Sequence, residues 1–164
     1  MIEKQADVVV IGGGIIGISL AYGLSKQNAK VLLIDKEDPL LTASRGNFGL
    51  VWVQSKGEGM PEYVEWCIEA ADKWPQFSEN LETETGIQLE YAKKGGLEIW
   101  LGDDEYNTRV NFIDEMRKAS RSGTYDCEML KTNELQKMLP EIKLGEEVSG
   151  GSYCPHDGYV NPLN

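Results

Sequence analysis

Residue types that build metal centres and disulfide frameworks are scarce in this sequence. It contains one histidine, His156, and three cysteines among 164 residues. Cys67, Cys127 and Cys154 lie far apart and form no Cys-x-x-Cys pair, so the sequence predicts no metal site and no disulfide framework. We interpret His156 as a structural loop residue. The cysteine pattern favours a reducing, cytoplasmic location.

Long apolar runs and an excess of basic residues are also absent. No segment is apolar enough to predict a transmembrane helix. The 16 lysines and arginines face 27 acidic residues, and the resulting charge of −11 disfavours nucleic acids and anionic membranes as partners. Residues 8–24 resemble the core of a signal peptide. However, Glu3 and Asp7 make the start of the chain acidic, which is not typical of a signal peptide. The glycines within residues 8–24 are better explained by the glycine turn described below.

The stretch from Asp7 to Asp35 carries the strongest functional pattern. Its β-branched run, residues 8–11, predicts a strand that is buried on both faces of a parallel sheet. A G-x-G-x-x-G turn, an amphipathic helical segment and the apolar run 30–35 follow. This order of strand, glycine turn, helix and acid-terminated strand predicts a dinucleotide-binding βαβ unit. The alternative is a structural βαβ unit without a ligand.

Each glycine of the turn has a separate predicted role. Gly12 permits the tight turn out of the strand, Gly14 lets a pyrophosphate approach the backbone, and Gly17 lets the helix pack closely on the sheet. The free amides of Ile15 and Ile16 should face the phosphates, with the positive end of the helix dipole behind them. The turn therefore needs no side-chain cation.

Residues after the second strand extend this predicted site. Asp35 ends the strand where an acidic residue commonly holds a ribose hydroxyl, and it disfavours a cofactor with a 2′-phosphate. The loop 36–49 should line the ligand crevice, because loops at the carboxyl ends of strands do so in open α/β sheets. Ser44, Arg45 and Asn47 could reach cofactor atoms. The alternative for this loop is a turn-rich surface segment.

The rest of the chain predicts a change of architecture from parallel to antiparallel structure. A Gly-Gly turn at 93–96 predicts a hairpin over residues 87–101. Helical spacing over 60–81 places Trp66 and Trp74 in the core rather than against a ligand, and Pro75 should bend or divide that helix. Further predicted elements are a strand at 50–53, helices at 103–122 and 132–139, a strand at 149–155, and a helix start at Asn161 and Pro162.

Four stretches together resemble the FAD-dependent D-amino-acid oxidase superfamily, which includes glycine oxidase, sarcosine oxidase, and amine and opine dehydrogenase subunits. They are the βαβ stretch, TASRGNFGLV, the block from AADKWP to GGLEI, and SGGSYCPHDGYVNPL. The resemblance covers almost the whole chain, and its later motifs are more specific than the glycine turn. Ala21, four residues after Gly17, also fits the FAD version of the fingerprint.

The resemblance implies an α/β fold, α+β overall, with a Rossmann-like FAD-binding βαβ unit and part of a mixed, antiparallel substrate-domain sheet. Residues 1–85 would form the N-terminal part of the FAD-binding domain, and residues 86–155 a partial substrate domain. Residues 156–164 would start a return helix in an apparently truncated chain. FAD would bind noncovalently, since no tethering histidine or cysteine can be assigned.

The resemblance also implies roles for individual residues. Gly12, Gly14 and the two amides would meet the pyrophosphate, while Asp35, assisted by Lys36, would hold the adenosine ribose. Residues 44–50 would run beside the pyrophosphate and the isoalloxazine. The implied cofactor-binding set is Gly12, Gly14, Ile15, Ile16, Gly17, Asp35, Lys36, Ser44, Arg45, Asn47, Gly49 and Leu50.

The implied activity is oxidation of the C–N bond of an amino acid or secondary amine by hydride transfer to FAD. Partners would be the small-molecule amine substrate and either a second subunit or a further copy of the chain. The family chain is more than twice this length, so no catalytic residue can be named. The alternative function is a truncated, noncatalytic FAD-binding protein or subunit that needs a partner chain. An NAD-binding dehydrogenase domain is disfavoured by the antiparallel segment.

Overall fold

The structure, a computed structural model, describes residues 5–36, 42–120, 123 and 125–164. Parts of the predicted loop 36–49 and of the predicted helix end at Ser122 lie outside these ranges. The chain divides into two compact units, the first ending at Phe48 and the second beginning at Gly49. This division falls earlier than residue 85, the expected boundary between the FAD-binding part and the partial substrate domain. The functions assigned to these two domains stay a prediction.

The secondary structure elements alternate between strands and helices along the chain. In order they are β1 (Val8–Ile11), α1 (Ile15–Ser25), β2 (Val31–Ile34), β3 (Leu50–Val51), α2 (Pro61–Thr85), β4 (Gly96–Leu101), α3 (Gly102–Ala119), β5 (Glu128–Lys131), α4 (Thr132–Met138), β6 (Val148–Cys154) and β7 (Gly158–Tyr159). The mixed α/β composition confirms the predicted fold class. No helix within the described ranges is long and apolar enough to cross a membrane.

The first unit is the predicted βαβ motif. β1 and β2 are parallel, with Val8 opposite Val31 and Ile11 opposite Ile34. One backbone bond extends the ladder past β1, because the Gly12 amide donates to the Ile34 carbonyl at 2.8 Å. The bond holds the start of the glycine turn against the end of β2.

The prediction that the first strand is buried on both faces is wrong for this structure. Val10 is buried, but Val9 and Ile11 are 52% and 84% exposed. Helix α1, all of whose residues are described, has no buried residue. Two strands and one helix lack the surface needed to cover both sheet faces.

The second unit is built on antiparallel strands. Within the described residues, β4, β6 and β5 form a sheet in that order, and β3 pairs separately with β7. β4 pairs with β6 from Gly96 opposite Cys154 to Leu101 opposite Val148, with a register shift near Trp100. Strand β5 had no predicted counterpart in the sequence. Its four residues are too few to give a clear alternating pattern.

The predicted hairpin over residues 87–101 is wrong. Only its second half is a strand, and the first half contributes one isolated bridge, Ala92 to Tyr159. The Gly95 amide donates to the Asp157 carbonyl at 2.9 Å instead of closing a local turn. Pairing with a distant strand therefore replaces the local pairing that the glycines predicted.

Helix α2 is longer than predicted. Its buried positions are shifted by about one residue along the sequence from the predicted ones. Its buried residues are Val64, Ile68, Ala71 and Ser78. Trp66 is 71% exposed and is no core anchor. Trp74 does pack against the core and stacks on Tyr91 with ring centroids 5.7 Å apart.

Pro75 does not divide helix α2, which runs unbroken to Thr85. Proline removes a backbone donor from a helix interior. One side chain supplements the backbone bonding at this point, because the Ser78 hydroxyl donates to the Pro75 carbonyl at 2.9 Å.

At the chain end, the predicted helix start at Asn161 and Pro162 is a turn in this structure, preceded by strand β7.

A buried carboxylate, Asp157, connects the segment that follows β3 to strand β6 of the second unit. Its Oδ1 accepts the Val53 amide at 2.5 Å, and its Oδ2 accepts the Gln54 side-chain amide at 2.8 Å. Gln54 in turn accepts the Ser152 hydroxyl at 2.9 Å. Burial raises the pKa of Asp157, and the hydrogen bonds from Val53 and Gln54 oppose that rise.

His156 lies between two carboxylates. Its Nδ1 is 3.1 Å from Asp72 Oδ1, and its Nε2 is 2.9 Å from Asp126 Oδ1. Lys93 Nζ also contacts Asp72, at 2.7 Å. Burial raises the pKa of Asp72, but the hydrogen bonds from Lys93 and His156 outweigh burial and lower it overall.

We expect Asp157→Ala to lower the free energy of unfolding by about 2–4 kcal/mol, because truncation leaves buried amides of Val53 and Gln54 without an acceptor. Urea unfolding at neutral pH measures this loss. The matched control is Asp114→Ala, an exposed carboxylate paired with Arg117, which should change stability by less than about 0.5 kcal/mol. Equal effects of the two substitutions would contradict the proposed importance of the buried network.

We expect Asp72→Asn to destabilise the protein at neutral pH and to lose this effect in acid. A carboxyl whose folded pKa lies below 3.8 stabilises the fold above that pH, and the contribution disappears as the pH falls through the folded pKa. Urea midpoints of wild type and variant should therefore converge as the pH falls below 3.8 and through the folded pKa of Asp72. Glu69→Gln, on the same helix, is the control. A gap that stays constant with pH would refute the linkage.

Candidate cofactor site

The glycine turn lies where β1 leaves the sheet and α1 begins. Gly12 has a φ of 108°, a conformation that side chains of L-residues rarely adopt. Gly14 is the N-cap residue of α1, with extended backbone angles. The turn therefore places successive backbone groups at the carboxyl ends of β1 and β2, as predicted for a phosphate-binding turn.

Gly17 and Gly14 lack a side chain for different physical reasons. A Cβ at Gly17 would overlap the Gly12 carbonyl oxygen, so this glycine allows the helix to approach the strand exit. A Cβ at Gly14 would lie 3.3 Å from Ser44 Oγ. Protein packing thus requires Gly17 but constrains Gly14 much less. A backbone that stays open at Gly14 fits the close approach of a pyrophosphate.

The N-terminus of α1 presents a positive, uncovered end. Its first turn contains no acidic residue. The side chains of Ile15 and Ile16 are 63% and 83% exposed, so they do not bury the turn. Amides of a helix's first turn lack intrahelical acceptors and favour anions.

Ser44, from the predicted cofactor loop, lies at this helix end. The Ile15 amide, predicted to be free for the phosphates, is already bound in this structure, because it donates to Ser44 Oγ at 2.9 Å. The bond joins two predicted site residues that are 29 positions apart in the chain. A hydroxyl bound to the first helical amide can also donate to an anion, because a serine hydroxyl both accepts and donates.

Asp35 lies beside the glycine turn, directly after β2. Its side chain is exposed, and its Oδ1 accepts the Lys36 amide at 2.8 Å. A Cβ at Gly13 would lie 2.5 Å from Asp35 Oδ2. Gly13 was missing from the predicted set, although the Gly-Gly-Gly run contained the signal. Because Gly13 has no side chain, the Asp35 carboxylate can lie over the turn.

The loop around Ser44 is folded by its own hydrogen bonds. The amides of Arg45 and Gly46 both donate to the Thr42 carbonyl at 3.0 Å. The Asn47 side-chain amide donates to the carbonyls of Ala43 and Ser44, at 3.1 and 2.8 Å. Asn47 thus shapes the loop, and Arg45 and Lys36 are exposed. The cofactor roles predicted for these three residues stay predictions.

Gly49 and Leu50, the last predicted site residues, belong to the second unit. Gly49 is buried with a φ of 64°, and a Cβ there would overlap the Val160 carbonyl oxygen. The Val160 amide donates to the Gly49 carbonyl at 2.8 Å. Leu50 is in β3 opposite Tyr159 and is 53% exposed. Packing within the second unit therefore already explains the glycine.

Two other features of the described residues do not compete with the glycine turn. A depression of about 390 Å³ lies at the amino ends of β1 and β2 and includes no predicted site residue. Its lining residues are Gln5, Ala6, Asp7, Val9, Lys30 and Leu32. In the described part of the chain, no three His, Cys, Asp or Glu side chains are arranged to hold a metal ion.

Comparison with known proteins gives consistent matches. An opine oxidase subunit of Agrobacterium tumefaciens (strain Ach5) is 33% identical over 159 residues, which are 97% of this chain and 42% of that protein. Monomeric sarcosine oxidase of Arthrobacter sp. (strain TE1826) is 28% identical, over 88% of this chain and 35% of that protein. The solved structure of glycine oxidase from Bacillus cereus ATCC 14579 matches with a TM-score of 0.79 and 29% identity, over 96% of this chain and 40% of that one.

The chain thus spans between 35% and 42% of the length of these relatives. A model of the family described as FAD dependent oxidoreductase (DAO) matches residues 7–164. These matches confirm the resemblance that the sequence motifs indicated. By the extent of that match, the chain belongs to the FAD dependent oxidoreductase family.

Proposed function

We propose that this chain is the FAD-binding N-terminal part of an oxidoreductase that oxidises the C–N bond of an amino acid or secondary amine. The observation that carries the proposal is the open end of α1, where Gly14, Ser44 Oγ and the Asp35 carboxylate surround one glycine turn. In a family defined by FAD dependence, this turn is the best candidate for the pyrophosphate and ribose.

Each residue of the turn has a defined part in this proposal. Gly12 and Gly17 hold the strand exit against the helix, and the open backbone at Gly14 admits the pyrophosphate. The Ile16 amide and the Ser44 hydroxyl, which itself accepts the Ile15 amide, donate hydrogen bonds to its oxygens. Asp35 accepts hydrogen bonds from the ribose hydroxyls. Bound FAD supplies the hydride-accepting ring, and the protein supplies orientation and electrostatics.

The proposed substrate class is small amines and amino acids. It is supported by the names of the relatives, which are an opine oxidase subunit, a sarcosine oxidase and a glycine oxidase. Since the chain spans less than half of each, we assign the complete activity to a longer polypeptide or an assembly. A cytoplasmic location fits the three free thiols.

The uncovered surface of α1 supports a second candidate function, a noncatalytic FAD-binding subunit that needs a partner chain. Ile15, Ile16, Ile18 and Leu20 of this helix are between 50% and 83% exposed. Contiguous apolar surface of this kind is typical of interaction sites. The relative from Agrobacterium is itself named as a subunit.

A visible absorption spectrum of the purified chain, recorded with and without added FAD, tests whether the chain binds FAD without a partner. Flavin absorbance that stays with the protein after desalting supports FAD binding by this chain. A colourless protein that takes up no added FAD contradicts the first proposal for the isolated chain and favours the partner-dependent subunit.

We expect Gly14→Ala to weaken FAD binding by at least about tenfold, because the new methyl group occupies the approach of the pyrophosphate. The substitution should hardly change the melting temperature, since its nearest neighbour is the end of the flexible Ser44 side chain. Quenching of FAD fluorescence gives the dissociation constant, and circular dichroism gives the melting temperature.

The matched control for this substitution is Gly23→Ala, which adds the same methyl group to the same helix where nothing lies within 4 Å. It should leave the FAD dissociation constant within about twofold of wild type, well under the tenfold that equals about 1.4 kcal/mol. If both alanine variants bind FAD like wild type, the pyrophosphate does not pass Gly14.

We expect Asp35→Asn to weaken FAD binding by about tenfold to hundredfold, because hydrogen bonds to a charged acceptor contribute about 1.5–3 kcal/mol. Asp7→Asn makes the same charge change at the other end of the same two strands, where Asp7 Oδ2 accepts the Lys30 amide. It should leave FAD affinity unchanged. Equal FAD affinities of wild type and Asp35→Asn would refute the ribose assignment.

A further inference from the structure

Two cysteines that are far apart in the sequence meet in the core of the second unit. Strands β5 and β6 are antiparallel, with Glu128 opposite Tyr153. Continuing this register by one residue places Cys127 opposite Cys154. Both side chains are fully buried, at 0% exposure, and both belong to the same core cluster. Residues directly opposite each other in antiparallel strands have Cβ atoms about 4.5–5.5 Å apart.

The two thiols interact in this structure. A hydrogen bond between Cys127 and Cys154, together with burial, raises the pKa of the Cys154 thiol. The Cys154 thiol also donates towards the Asp157 carboxylate. The segment before β5 is fixed in place, because Arg117 Nη2 donates to the Cys127 carbonyl at 2.5 Å. The pair therefore lies on two anchored strands rather than on free loops.

We propose that Cys127 and Cys154 form a redox pair that a hydroperoxide converts into a cross-strand disulfide linking the start of β5 to the end of β6. A disulfide requires Cβ atoms about 3.5–4.5 Å apart, which directly opposed residues reach with a small adjustment. The proposal concerns the second unit alone and does not depend on FAD binding.

The oxidation proceeds in two steps. The Cys127 thiolate attacks one peroxide oxygen, the O–O bond breaks, and a sulfenic acid and hydroxide form. The Cys154 sulfur then attacks the sulfenic sulfur, so that the S–S bond forms and the S–O bond breaks. Its proton leaves with the hydroxyl group of the sulfenic acid as water. The proton that Cys127 releases on forming the thiolate combines with the hydroxide of the first step as a second water. Two thiols and one hydrogen peroxide thus give one disulfide and two waters, with two electrons passing from sulfur to oxygen.

Burial determines which oxidants can use this pair. Complete burial and protonation of Cys154 keep the thiols unreactive towards bulky disulfides and alkylating agents. Hydrogen peroxide is small enough to enter during local opening of the structure. The third cysteine, Cys67, lies on helix α2 and is only partly buried. It provides an internal comparison within the same molecule.

The test treats the purified full chain with hydrogen peroxide, blocks remaining thiols with iodoacetamide in denaturant, and maps tryptic peptides without reduction. Trypsin places the three cysteines on separate peptides, residues 57–73, 122–131 and 144–164. We expect a disulfide-linked species of peptides 122–131 and 144–164, lighter by about 2 Da than the sum of the two. Dithiothreitol should abolish it. The oxidised chain should also melt several degrees higher.

Three serine variants complete the test. Cys127→Ser and Cys154→Ser should each abolish the linked species and the rise in melting temperature, whereas Cys67→Ser should retain both. The proposal would be overturned if peroxide oxidises Cys67 while peptides 122–131 and 144–164 are recovered unlinked, with their cysteines alkylated by iodoacetamide. Separate sulfinic acids on Cys127 and Cys154 without a linked peptide in the wild type would overturn it as well.

Discussion

The close approach of α1 to the exit of β1 is the constraint on which the candidate site depends. It is possible only because Gly17 has no side chain where the Gly12 carbonyl oxygen lies. That contact holds the start of the helix against the strand exit. The Gly12 amide donates to the Ile34 carbonyl at the same point, so the end of β2 and Asp35, which follows it, are held beside the turn. One small contact thus positions both the groups proposed to bind the phosphates and the group proposed to bind the ribose.

The second unit depends on a different constraint, the burial of Asp157. A buried carboxylate is unfavourable unless several donors satisfy it. Val53 and Gln54, in the segment that follows β3, supply these donors, and the Gln54 side chain also accepts the hydroxyl of Ser152 in β6. The adjacent thiol of Cys154 donates to the same carboxylate. Hydrogen bonding at one residue therefore connects β3, β6 and the cysteine pair.

The parts of the fold that could be predicted are those determined by residues close in sequence. The unit from Asp7 to Asp35 was predicted element by element, because each glycine acts on a strand or helix next to it. Strand exposure in that unit could not be predicted, since it depends on which other elements cover the sheet. The predicted hairpin over 87–101 is wrong for the same reason, because β4 pairs with β6, whose residues lie 47 to 58 positions further along the chain. The prediction that Trp66 lies in the core is wrong because helical spacing gives only the period of the apolar residues, whereas tertiary packing decides which helix face is buried.

The same distinction applies to the chemically active residues. Asp35 and the glycines form a local pattern with a known physical role, so the sequence alone could propose them, and their cofactor roles stay a prediction. Gly13 was missed because its role is defined by Asp35 Oδ2, which only the folded turn brings near it. Cys127 and Cys154 were read as separate thiols because their meeting depends on the register of two strands that are not consecutive in the chain. Cysteine spacing in a sequence therefore excludes compact motifs such as Cys-x-x-Cys, but it gives no information about pairs that a sheet creates.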